Sequence, residues 1–158
     1  MPTPIPPPKM MMPADELAPT LPLRYDSTSK YAYINDYTTL VNQNLKMLLL
    51  TVPGEKMMDT DFGVGLTTYL FEQNTVQTRS SISGKIREQV QLYLPYIDIE
   101  NIEYHSSIED SQISDEYLGI RITYNIVPIQ TVVVSTLNLS GDSSLGIFSS
   151  FEIANYST

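Results

Sequence analysis

The sequence predicts an α+β fold: two main helices and a short helix packed on one face of a small antiparallel β meander. Three observations predict it. Apolar residues recur at three- and four-residue spacing over 36–50 and again towards residue 94. They then alternate strictly over 118–126. Proline turns at Pro53-Gly54 and Pro95 stop each helix before the next element starts.

The chain has 158 residues, enough for one domain with short extensions. A domain of that size buries roughly 70% of its unfolded surface, so a real core is expected. Without cysteine, neither a disulfide scaffold nor a thiolate metal site is expected. The single histidine, His105, leaves no zinc cluster. Net charge is −9, and the nine Lys and Arg are scattered, which argues against nucleic acid and anionic membranes as partners. No run reaches the length of a transmembrane helix, and prolines interrupt the N-terminus where a signal peptide needs an apolar stretch. The expected location is where the protein is made, or an assembly built there.

Three regions follow in order. Residues 1–33 are a Pro-rich extended arm, with eight of the eleven prolines in the first 22 positions. Ile5, Met10, Met11, Met12, Leu17 and Leu21 are apolar within it. It reads either as a disordered end or as an arm that lies in a partner's groove. Residues 34–139 form the core domain. Asn35 or Asp36 is placed to cap a helix over 36–50. A short helical piece follows from Leu66. Asn74 is placed to cap the next helix, with Gln77 at the capping-box position. Ile82, Ile86, Val90, Tyr93 and Leu94 form the stripe of that helix, while Arg79, Lys85, Arg87 and Glu88 fall on a solvated face. Ile97 and Ile99 begin a strand, and the slip in alternation before Ile102 predicts either a bulge or a late strand start. Leu118 to Ile126 is a half-buried strand, and 131–139 (TVVVSTLNL) is a third. Residues 140–158 are a Ser-rich tail with apolar Phe148, Phe151, Ile153 and Tyr156, which either folds back on the core or docks on a neighbour.

Glu55, Asp59, Asp61 and Glu72 cluster around the central turn. Paired carboxylates serve glycoside hydrolysis, but acids beside Pro-Gly and Gly-x-Gly turns are more often caps and loop ends. Gly63-Val64-Gly65 lacks the third glycine and preceding strand of a dinucleotide site. The acidic loop before residue 117 has no calcium-loop spacing. The expectation is no catalytic residue, no metal, no cofactor and no small-molecule substrate. A three-strand meander, however, has two edges. The apolar strand Thr131, Val132, Val133, Val134, Ser135, Leu137, Leu139 carries little to blunt pairing with another chain.

The stretch LLLTVPGEKMMDTDFGVGLTTYLFE, between a helix and a helix with a β meander, resembles the baseplate wedge and sheath-initiator proteins of contractile phage tails. That family is shared with the type VI secretion baseplate subunit and has been labelled lysozyme-like. The motif falls on Thr51, Pro53, Gly54 and Glu55, then Asp61, Phe62, Gly63, Gly65 and Leu66, then Leu70, Phe71 and Glu72. The resemblance covers about 34–139. It implies a non-enzymatic structural protein of the virion, seated in the tail baseplate. Its partners would be wedge subunits, the tail sheath subunit and, in reach, tube or hub proteins. It also implies that sheath strands add to the protein's sheet and so template the first sheath ring. The alternative reading is an adaptor of a type VI or other contractile injection baseplate. One departure stands out: where the family carries Glu-Pro-Arg, this chain reads Leu94-Pro95-Tyr96, with both charges gone.

Overall fold

The computed structural model describes residues 17–25, 31–73, 75–106, 117–127, 129, 131–140 and 148–154. In chain order the elements are β1 (Ala18–Pro19), β2 (Tyr33–Ile34), α1 (Tyr37–Leu50), a 3-10 helix (Leu66–Phe71) and α2 (Val76–Tyr93). Four strands follow: β3 (Ile97–Ser106), β4 (Tyr117–Ile126), β5 (Thr131–Ser140) and β6 (Phe148–Ala154). The chain divides into two units, Met1–Val41 and Asn42–Thr158.

In the first unit, β1 and β2 make a two-residue antiparallel ladder pairing Ala18 with Ile34 and Pro19 with Tyr33. Proline is tolerated there because β1 is an end strand of a two-stranded sheet and the ladder is only two residues long. Of the two predicted caps, Asp36 serves: its Oδ2 accepts from the Thr39 backbone N–H at 2.8 Å. Residues 1–16, the greater part of the Pro-rich arm, lie outside the described residues.

In the second unit the predicted α+β layers form. From α1, Leu45, Leu48 and Leu49 are fully buried; from α2, Ile82, Ile86 and Val90; from the sheet, Ile120, Ile122, Tyr124, Ile126, Val133 and Leu137. Over 120–126 the alternation is thus one face of β4 turned into the core. Two polar groups join this core as a pair: Ser135 Oγ donates to Asn42 Oδ1 at 3.0 Å, holding β5 to α1. Helix α2 is capped by Thr75, whose Oγ1 accepts from the Thr78 N–H at 3.2 Å. The expected cap Asn74 lies outside the described residues. Thr75 is the extended residue before the first helical turn, which is where a cap must stand.

The sheet order is β3-β4-β5-β6, antiparallel throughout. The strand starts at Ile97 and the register shifts between Ile99 and Asn101, so of the two readings of the slip it is the bulge that forms. Two expectations need correction. Arg87 does more than sit on a solvated face: its Nη1 donates to the Ile99 carbonyl at 3.0 Å, at that bulge. And the strand Thr131–Leu139 is not an open edge. The tail folds back as β6, pairing Val132 with Ala154, Val133 with Ile153, Val134 with Glu152, Ser135 with Phe151, and Leu137 with Ser149. The physical reason is alternation hidden in a Ser-rich segment. In that register Phe151 pairs with Ser135 and Ile153 with Val133.

Candidate assembly site

The motif residues converge on one construction at the end of α1. Thr51 Oγ1 donates to the Met47 carbonyl at 2.7 Å, closing the last helical turn. Val52 N–H then donates to Glu55 Oε2 at 3.0 Å, and Glu55 N–H returns to the Val52 carbonyl at 3.0 Å. The Glu55 carboxylate therefore braces the Pro53-Gly54 reversal. Gly54, with φ 95°, donates to the Thr60 carbonyl at 2.9 Å and closes the loop.

Gly63 and Gly65 carry the return. Gly63 has φ 109°, and a Cβ there would run into the Thr51 carbonyl. Gly65 has φ 70°, and its Cβ would sit 3.1 Å from Pro53 Cδ. Only glycine lets the two passes of chain lie this close. Between them, Val64 N–H donates to the Leu48 carbonyl at 2.9 Å. That bond satisfies one of the carbonyls that a helix end leaves open. Val64 and Leu66 are fully buried below it.

Helix α2 locks this turn from the side. Gln89, buried on the apolar stripe, accepts from Gly63 N–H at 2.9 Å and donates to the Asp61 carbonyl at 3.1 Å. One side-chain amide thus satisfies a donor and an acceptor of the loop. Tyr93 OH donates to Asp59 Oδ1 at 2.9 Å, and its ring meets Phe62 edge-on at 4.9 Å. Partial burial and the neighbouring Asp59 carboxylate hold the Tyr93 hydroxyl above its ordinary pKa, so it stays a donor. Lys56 Nζ lies 4.2 Å over the Phe62 ring and 3.7 Å from Asp59.

Other predicted residues stand apart from this construction. Leu70 and Glu72 belong to the end of the 3-10 helix, where Glu72 N–H donates to the Tyr69 carbonyl at 3.2 Å. The Phe71 side chain is outside the described residues. Pro95 and Tyr96 form the turn from α2 into β3. There the Tyr96 hydroxyl accepts from Asn44 Nδ2 at 3.2 Å, a neutral link from turn to helix. At the far end of α2, Tyr104 of β3 is held by Ser83 Oγ at 2.6 Å and the Arg79 carbonyl at 3.0 Å. Among the described residues no three His, Asp or Glu are grouped to hold a metal, and no helix is long and apolar enough to cross a membrane.

The sequence reading missed Gln89, Asn42 and Asn44. A signal for Gln89 existed. It stands three residues after Ile86 and one before Val90, a polar residue on an apolar stripe, and such a residue needs a partner.

This construction lies inside a recognised sequence family. The family described as baseplate wedge protein gp25 matches residues 35–129, more than half of the chain. The chain belongs to that family. Two solved structures share this chain's fold. One is a tail lysozyme, so described, from Geobacter sulfurreducens, at 21% identity and TM-score 0.57, covering 72% of this chain and 99% of that one. The other is in the six-fold symmetrised baseplate of the anti-feeding prophage, also at 21% and 0.57, covering 68% of this chain and 82% of that one. At that identity the likeness carries the fold alone. No protein of curated function matches the chain. As a wedge-family member it is a structural component of a contractile-tail baseplate.

Proposed function

We propose that this wedge protein docks on neighbouring wedge subunits within the virion baseplate and templates the first sheath ring by accepting a sheath strand at its sheet edge. The observation that supports this is the asymmetry of the two edges. On β3 a bulge interrupts the ladder, and the Arg87 guanidinium occupies the Ile99 carbonyl. Bulges and charge at an edge discourage pairing. The opposite edge is β6, whose ladder with β5 runs without interruption from Ala154 to Phe148. The acceptor edge is therefore β6, not the 131–139 strand that it covers.

An electron-microscopy map of the assembled tail tests this. The expected result is a sheath strand hydrogen-bonded along Phe148–Ala154. Displacement of β6 by a sheath strand on β5 would return the contact to 131–139. A solvated β6 edge would end the templating role and leave a wedge adaptor. In an antiparallel ladder, neighbouring residues alternate between inward and outward N–H groups. Of Ser149→Pro and Ser150→Pro, one therefore removes an outward donor, and that variant alone is expected to fold and yet fail to nucleate sheath.

A further inference from the structure

The loop closed by Gly54 and Thr60 carries the two most exposed large apolar residues described in the chain. Met57 is 91% exposed and Met58 is 95% exposed. Methionine is among the residues most often found inside proteins. Flexibility does not account for their position, because the loop is held from both sides. Glu55 braces its start. Asp59 is tied to Tyr93 and to Lys56, and its N–H donates to the Lys56 carbonyl at 3.1 Å. Phe62 is stacked against Tyr93. None of these contacts uses either methionine.

We infer that Met57 and Met58 form a preorganised apolar knob that seats in an apolar pocket, rimmed by Lys or Arg, on an adjacent protein subunit. The inference rests on the baseplate reading for the assembly in which that subunit is found. Rigidity lowers the ordering cost of binding, and methionine adapts its shape to an apolar pocket. Charge selects the partner. The segment from Glu55 to Asp61 that carries the knob holds Glu55, Asp59 and Asp61 and one cation, Lys56, on a chain of net charge −9. A basic rim complements that loop. A second copy would set like charge against like, and an anionic lipid surface would repel it.

Methionine oxidation reads this directly, because exposed thioethers convert to sulfoxide. The full-length protein and assembled tails are exposed briefly to hydrogen peroxide, and each methionine is followed by peptide mass spectrometry. In the isolated protein Met57 and Met58 should oxidise faster than Met47, which is 43% exposed. In assembled tails their oxidation should slow by about tenfold or more, as expected for burial. Equal rates in the two samples overturn the knob while leaving the baseplate role intact. Protection that grows with concentration in the isolated protein, or on adding phosphatidylcholine vesicles, overturns it in favour of a second copy or lipid. Absence of the protein from purified tails ends the baseplate reading and this inference with it. The Met57→Ser, Met58→Ser double variant should fold with unchanged melting temperature and yet be lost from tails, while Met57→Leu, Met58→Leu is retained. Retention of the Ser variant at the wild-type level overturns the proposal.

Discussion

At the scale of single residues, glycines with positive φ differ sharply in what surrounds them. Gly54 has open space where a Cβ would go; Gly63 has the Thr51 carbonyl. Gly54→Ala carries only the backbone cost of positive φ, about 1 kcal/mol. Gly63→Ala adds a backbone collision and is expected to cost about 3 kcal/mol or more, enough to unfold a marginal domain. Urea titration of the two variants ranks them, and equal costs would refute the close approach. Tyr124 presents the opposite case. It is fully buried, and its hydroxyl finds no partner among the described residues. Burial, and then Tyr96, push that hydroxyl above the usual tyrosine range. Tyr124→Phe removes an orphaned polar group and should be neutral or stabilising by about 1 kcal/mol at pH 7. The sign with pH follows from linkage. A raised folded pKa means that the stability Tyr124 contributes is whole below about pH 10, its unfolded value, and is lost as pH rises further. The alkaline fall of melting temperature should therefore be shallower in Tyr124→Phe than in the wild type.

Among the elements, β3 depends on α2 at both of its ends. Tyr104 reaches Ser83 and the Arg79 carbonyl near one end, and Arg87 reaches Ile99 near the other. The Arg87 bond both fastens the strand and occupies an acceptor on it. Arg87→Leu should cost about 1 kcal/mol, at the low end for a charged hydrogen bond because the side chain is exposed. It should also make self-association more concentration-dependent, seen as a rising sedimentation coefficient. A variant that stays monomeric across the same range would show that the bulge alone blunts this edge. The construction at the end of α1 is likewise shared between elements. Gln89 of α2 satisfies backbone groups of a loop more than twenty residues earlier in the chain.

For the molecule as a whole, β6 decides which surfaces are available for assembly. It covers Val132 to Asn138 of β5 and moves the outer edge of the sheet to the C-terminal strand. Removing residues 141–158 exposes an apolar, β-branched edge with little charge on it, and such edges pair with other chains. The truncated protein is expected to self-associate at micromolar concentration while the full chain does not. Light scattering on the pair checks this, and a monodisperse truncation product would mean that β5 is blunted by other means.

The sequence alone determined the parts whose signal is periodic or conformational. The apolar spacing of 36–50, the alternation of 118–126, the slip after Ile99, a cap at Asn35 or Asp36 and the glycine-dependent turn all depend on local geometry. Neighbouring residues dictate that geometry wherever they end up in space. The family was legible for a related reason: the part of its motif from Thr51 to Gly65 is built around the close pass. Only the tertiary structure decided the rest. Phe151 and Ile153 look like an isolated sticky segment until register sets them beside Val133 and Ser135. Gln89 shows only as a polar residue on an apolar stripe until the Gly63 and Asp61 backbone arrives beside it. Arg87 looks solvated until the bulge turns a carbonyl towards it. Each depends on a partner distant in sequence, and a contact between distant segments leaves no periodic trace in either one.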